Sequence, residues 1–197
     1  MVAQGPRHAE QFIYGDSAVN PKQFNGLKKL INTALAGNQV IAMGATGAPL
    51  TLDGLDKVID AVKGGKPDML LMSARSRRKL MSQIRGSGSM IESDRDSYGM
   101  FTQYWNGIPI GVNDYILDTH TLAGSVETDT VGGSCSTIYA VQFGEGALCG
   151  LTVPGYMAVE PIGSLETKDA SRTRIKWYVS LALFSSIKAA ALIGVQD

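Results

Sequence analysis

The stretch Arg172-Thr173-Arg174-Ile175-Lys176-Trp177-Tyr178-Val179-Ser180-Leu181-Ala182-Leu183-Phe184 changes character at every step. Ile175, Trp177, Val179, Leu181 and Leu183 alternate with Arg174, Lys176, Tyr178, Ser180 and Ala182. Successive side chains of a strand point to opposite faces, so period two predicts a strand with one strongly apolar face. Ile175, Trp177, Val179 and Leu181 are accordingly expected as structural core positions. At ~3.3 Å per residue the strand would run about 40 Å, against about five or six residues for a typical strand. It overshoots a globule of this size. An elongated subunit, or a strand shared between two lobes, is implied.

The rest of the composition bounds what such a subunit can be. A chain of 197 residues is one domain, or one compact body with a lobe, and can bury roughly 70% of its unfolded surface. Charged residues are 18% of the chain, against a typical ~25%. The 23 glycines are also in excess of the usual share. Lys plus Arg and Asp plus Glu both number 18, so the formal net charge is zero. A lightly charged, neutral chain has little electrostatic protection against association. Disorder is disfavoured, because disordered chains are charge-rich and apolar-poor. A dedicated basic nucleic-acid binder is disfavoured too, with no excess charge to neutralise phosphates. Cys135 and Cys149 read as free thiols in a reducing compartment. Met1 to Glu10 lacks the apolar core of a signal peptide. Leu30 to Leu52 is uncharged, but Asn32, Gly37, Asn38, Gln39, Gly44, Gly47 and Pro49 interrupt it, whereas a membrane span needs ~20 predominantly apolar residues. The expectation is a soluble, intracellular chain with no membrane partner.

Several elements are legible locally. Arg7 to Tyr14 reads as the last turns of a helix stopped by Gly15 in a left-handed cap. A turn-rich connector follows to Asn25, then a short helix from Gly26 to Ala36 and a strand from Val40 to Met43. Thr51 to Lys63 is the best helix. Thr51 can cap it, and Leu52, Leu55, Ile59 and Val62 form one apolar stripe. Asp53 suits its first turn, Lys63 its last, and Asp53 can pair with Lys57. Gly64-Gly65 and Pro67 end it. Asp68 to Met72 reads as a buried strand, and Ser73 caps a helix to about Ile84. Gly86 to Ser97 reads as a loop. Phe101 to Val112 reads as a hairpin turning at Asn106-Gly107, and Pro109 places its second strand at an edge or at that strand's beginning. Asp118 to Ser136 has no period and reads as a long loop. Thr137 to Phe143 and Tyr156 to Pro161 are predicted strands.

Chemistry is sparse. Gly64-Gly65-Lys66 resembles the end of a phosphate loop, but Asp60 replaces the first glycine and Pro67 the hydroxyl residue. Gly144, Gly146 and Gly150 follow a strand, but no helix follows them to hold a pyrophosphate, so tight turns are the expected use. His8 and His120, with two distant cysteines, do not supply a zinc ligand set. No cofactor is expected. Ser134-Cys135-Ser136 has no histidine nearby in sequence to activate the thiol. Arg75, Arg77, Arg78, Lys79 and Arg85 make the densest basic run, which reads as a solvated helix face or as a weak, salt-sensitive phosphate contact.

Taken in order, certain motifs resemble one family. They are Phe12-Ile13-Tyr14-Gly15-Asp16, then Phe24-Asn25-Gly26-Leu27, then Lys66-Pro67-Asp68-Met69-Leu70-Leu71-Met72 and Arg75-Ser76-Arg77-Arg78. Gly107-Ile108-Pro109-Ile110, Ser136-Thr137-Ile138-Tyr139-Ala140-Val141-Gln142-Phe143-Gly144-Glu145-Gly146 and Arg172 to Tyr178 with Ala189 to Val195 complete the set. The ordered set is similar to the major capsid (coat) protein of tailed bacteriophages, with the Hong Kong 97 fold, over nearly the whole chain. The resemblance implies an α+β fold of mixed sheets flanked by helices. Residues 1–29 would be the end of the spine helix and a connector of the peripheral domain. Residues 30–165 would be the axial domain. Residues 166–197 would be the long peripheral strand and the return to the axial domain. Family members carry an N-terminal arm, an extended loop and most of the spine helix before the Gly-Asp turn, so this sequence resembles a C-terminal portion or an unusually short relative.

The resemblance further implies a structural, non-enzymatic subunit of a phage or prophage capsid. Its partners would be other copies of itself, in pentamers and hexamers of a shell, and packaged double-stranded DNA held without sequence preference. Scaffold, portal or decoration proteins would be further partners. It would sit in the virion, and in the host cytoplasm during assembly. Arg75, Arg77 and Arg78 are the expected DNA-facing residues. Asp118, His120, Glu127 and Asp129 are expected in loops near the capsomer axis. A bacterial nanocompartment shell protein of the same fold is the alternative within shells. A small α/β enzyme using the Gly144–Gly150 turn and Cys135 is the alternative of another class.

Overall fold

The computed structural model describes residues 4–34, 39–88, 92–95, 99, 101–123, 126–128, 132–165 and 168–196. Helix α1 (Gln4–Tyr14) and helix α2 (Leu27–Ala34) are followed by the short strands β1 (Val40–Ala42) and β2 (Ala48–Pro49). Helix α3 (Leu52–Ala61), strand β3 (Met69–Met72) and helix α4 (Ala74–Gly86) come next. Strands β4 (Glu92–Arg95), β5 (Phe101–Trp105) and β6 (Ile108–Val112) form a meander. A small hairpin of β7 (Thr121–Ala123) and β8 (Val126–Thr128) precedes β9 (Ser136–Val141). The chain ends with β10 (Leu148–Leu165), β11 (Lys168–Leu183), a single 3₁₀ turn and β12 (Ala189–Gln196).

The main sheet runs β1-β12-β9-β3-β6-β5-β4, with β2 also on β12. It is mixed: β12 pairs parallel with β1 and antiparallel with β9, and β3 pairs parallel with β6. β9 and β12 are interior strands of it, and β9 is buried from end to end. Such strands read as continuous apolar runs because both faces are covered. Alternate residues divide between two cores. Ile138, Ala140, Ala190 and Leu192 pack under α3 and α4, with Leu55, Val58, Leu80 and Ile84. Tyr139, Val141, Ala191 and Ile193 face the other way, toward Ile13 of α1 and Leu27 and Ile31 of α2.

The local signals behave as their chemistry dictates. Thr51 accepts a hydrogen bond from the Gly54 amide at 3.1 Å, and Ser73 from the Ser76 amide at 3.2 Å. Asp53 pairs with Lys57 at 2.6 Å. Asn106 and Gly107 have φ of 52° and 73°, the left-handed pair that a type I′ turn requires. Pro109 sits one residue before β3 joins β6 at Ile110, so it heads a strand that is interior rather than an edge. Lys63 lies past the end of α3 but its ammonium still bonds the Asp60 carbonyl at 2.9 Å.

Other expectations change. Gly15 is not left-handed. Its reason is close approach: a Cβ there would overlap the Phe24 carbonyl oxygen. Gly26 is crowded in the same way, since a Cβ would lie 2.6 Å from both the Gln11 carbonyl and the Gly15 nitrogen. The two glycines let the end of α1 cross the start of α2, and the Gly26 amide bonds the Gly15 carbonyl at 2.7 Å. Within the expected loop 86–97, Glu92–Arg95 forms β4, because pairing with β5 satisfies its backbone irrespective of its polar side chains. The strand expected at Tyr156 to Pro161 is part of the 18-residue β10, which pairs with β11 through bulges on either side of it.

Candidate functional site

Among the described residues β10 and β11 form a two-stranded ribbon, rooted in the second core through Leu148 and Leu181, where Leu148 also bridges Phe143. Opposed residues of an antiparallel pair share a face. Val159 opposes Ile175 and Thr152 opposes Val179, which with Trp177 make one face almost wholly apolar. Glu160 opposes Arg174, and Ala158 opposes Lys176, on the other face, where Lys176 and Glu160 pair at 2.7 Å. Nearer the root the ribbon carries a shallow cavity of about 230 Å³ lined by Leu151, Thr152, Val153, Tyr178, Val179 and Ser180.

The core reading of this strand is therefore corrected. Only Leu181 is buried, at 9% exposure, whereas Ile175 is 43% and Trp177 50% exposed, and Val179 is intermediate. The alternation is real, but no third layer among the described residues covers the ribbon beyond its root. His8 of α1 alone reaches Trp177 among the ring contacts, edge-on with 5.0 Å between centroids. The cavity residues Leu151 and Val153 escaped the sequence reading. Their signal was an alternating apolar stretch as long as that of β11, interrupted by Pro154-Gly155.

The three arginines separate. Arg75 hydrogen-bonds the Ser134 carbonyl at 2.6 Å and lies 3.6 Å from the Asp118 carboxylate, with its side chain 19% exposed. Part of its guanidinium is thereby engaged within the chain. Arg78 is exposed and Arg77 partly so, on the outer side of α4.

The segment expected as a long loop near the capsomer axis instead contains the β7–β8 hairpin, and several of its side chains are held within the chain. His120 is fully buried, and its Nε2 shares a 2.9 Å hydrogen bond with the Tyr14 hydroxyl, which also accepts the Leu117 amide at 3.0 Å. Glu127, with a side chain only 3% exposed, accepts the Thr137 hydroxyl and lies 3.4 Å from the Lys28 ammonium. Asp118 faces Arg75. Gly133 makes the fit possible, since a Cβ there would overlap the His120 carbonyl. The segment is strapped to α1, α2 and α4 by partners remote in sequence. Asp129 lies outside the described residues. Nearby, Asp16 has its carboxyl held below its ordinary value, first by the hydrogen bond from Lys29 at 2.9 Å and then by the Ala18 amide.

Of the features behind an enzyme reading, Cys135 is bridged through its backbone to His120. Gly144 closes a tight turn, with Ala147 donating to its carbonyl at 3.1 Å, and β10 follows directly. Cys135 is buried, and its thiol neighbours the Gln196 amide and the Thr46 carbonyl, neither of which is a base. Among the described residues no group of three or more His, Cys, Asp or Glu could hold a metal ion, and no helix is long and apolar enough to cross a membrane.

No family model and no curated protein matches the sequence. Solved structures do. An encapsulin, the holo-SrpI complex from Synechococcus elongatus PCC 7942, is similar over 99% of this chain and 62% of its own, with a TM-score of 0.70 and 17% identity. The capsid of an empty GTA particle is similar over 98% of this chain and 64% of its own, with a TM-score of 0.58 and 16% identity. The capsid of a native GTA particle gives 98%, 63%, 0.59 and 15% in the same order. The chain thus spans less than two thirds of the length of the structures it matches. These proteins share the Hong Kong 97 fold, and the mixed sheets and flanking helices of this chain are that fold.

Proposed function

We propose that this chain of Hong Kong 97 fold is a subunit of a closed protein shell, built from rings in which different faces of neighbouring copies meet. The ribbon supports this best. A two-stranded ribbon is marginally stable alone in water, and this one holds Val159, Ile175 and Trp177 about half exposed. Neighbouring copies would supply its missing layer. The sparse, balanced charge of the chain suits a surface that largely faces other copies of itself. Its role would be structural rather than catalytic. Residues 30–147 would form the axial body, and the ribbon, β10 included, most of the peripheral part.

The finer reading is a phage or prophage capsid enclosing double-stranded DNA, with Arg77 and Arg78 making sequence-independent phosphate contacts and scaffold, portal or decoration proteins as further partners. A nanocompartment shell is the second reading. It is favoured by the encapsulin's TM-score of 0.70, against 0.58 and 0.59 for the GTA capsids. The test is electron microscopy of the purified protein with nuclease treatment of any particles. Rings or shells support the proposal, and a monomer at every concentration overturns it. Nuclease-protected DNA that falls when Arg77→Glu and Arg78→Glu are combined supports the capsid reading. Shells without nucleic acid support the compartment.

A further inference from the structure

The angle between ribbon and body is the variable that a shell subunit must control, and α1 touches both. At its C-terminal end Ile13 is buried in the second core, and Tyr14 joins His120 and the Leu117 amide. Near its middle His8 stacks edge-on against Trp177, with ring planes at 74°. His8 and Tyr14 are six residues apart, so at 1.5 Å and 100° per residue they stand about 9 Å apart and about 120° around the axis. The helix therefore reaches the ribbon from one side and the body from another. Gly15 and Gly26 fix its exit, because neither backbone crossing has room for a Cβ.

We infer that α1 is a tie that sets the ribbon's angle to the body through the His8–Trp177 contact, and that this tie makes shell size uniform. The ribbon has no other third layer at Trp177 among the described ring contacts. Without the tie its paired strands are free to bend and twist as two-stranded ribbons do. The consequence for shell size rests on the proposed shell function. The tie itself does not, so two readouts separate them.

The first readout is hydrogen exchange of the β11 amides between Arg174 and Val179 in the whole chain, which reports local opening. His8→Ala should speed exchange there about two- to tenfold, the value of one edge-on aromatic contact. His8→Phe, which keeps an edge-on ring, should restore it, and Glu10→Gln on the exposed side of α1 should change nothing. The second readout is the particle diameter distribution by electron microscopy, which should broaden in His8→Ala and narrow again in His8→Phe. Unchanged exchange in His8→Ala overturns the tie. Faster exchange with an unchanged diameter distribution overturns its control of shell size. A wild-type chain that forms no particles counts against the shell function, while the exchange result still decides the tie.

Discussion

Replacing Val159 and Ile175 together by threonine tests whether the ribbon's bare face is an assembly surface. The two residues oppose each other in register and are 56% and 43% exposed. Threonine keeps the strand preference and nearly the shape of valine, so the pairing of β10 with β11 should survive. Full burial of a valine or isoleucine side chain is worth about 1.5–3 kcal/mol. Roughly half of each remains to be buried by a neighbour, which leaves about 1 kcal/mol per residue and about 2 kcal/mol per subunit for assembly. That corresponds to a critical concentration raised about thirtyfold. Leu181→Thr is the contrasting control, because Leu181 is already buried at the root. It should cost the folded chain about 3 kcal/mol and carry little specific penalty in assembly. The assay is light scattering against protein concentration, well below the unfolding midpoint, with urea denaturation of each variant. A double threonine variant that assembles within twofold of the wild-type concentration would refute the reasoning.

The strap at Glu127 gives a second prediction. Glu127→Ala removes both the carboxylate 3.4 Å from the largely buried Lys28 ammonium and the acceptor of the Thr137 hydroxyl and should cost about 3 kcal/mol in urea denaturation, whereas Glu127→Leu with Lys28→Met should fall within about 1 kcal/mol of wild type. Gly26→Ala must push backbone against backbone where α1 crosses α2, and should lower stability by about 3 kcal/mol, far more than Gly146→Ala in an open turn. Because the folded Asp16 carboxyl sits below its ordinary value, the Lys29 pairing contributes above the usual carboxylate range and is lost as pH falls through the depressed value. Asp16→Asn should therefore lower Tm at pH 7, with the gap closing as the pH drops below about 4.

The elements legible in advance are those whose determinants lie within a few residues. Thr51 and Ser73 cap helices because their hydroxyls meet amides three residues on. Asn106-Gly107 makes the hairpin because that dipeptide tolerates left-handed backbone. The period-two run to Leu183 is a strand for the same local reason, and the ordered motifs point to the Hong Kong 97 fold. The candidate site was legible only in outline. The alternation located the ribbon, but could not say that β11 would pair with β10 rather than join the main sheet.

Tertiary structure decided everything that depended on who stands opposite. An apolar face is core only if another layer covers it, and no local pattern states whether that layer belongs to the same chain. Trp177 is consequently half exposed where the sequence implied burial. Arg75 looked free because its partner carbonyl, Ser134, is 59 residues away. His120 looked like a loop residue because Tyr14, which holds it, is 106 residues away. Local hydrogen bonds and side-chain alternation determined the elements of this protein. Desolvation and pairing across the fold determined which of its polar groups are occupied, and which of its apolar ones are left for another copy.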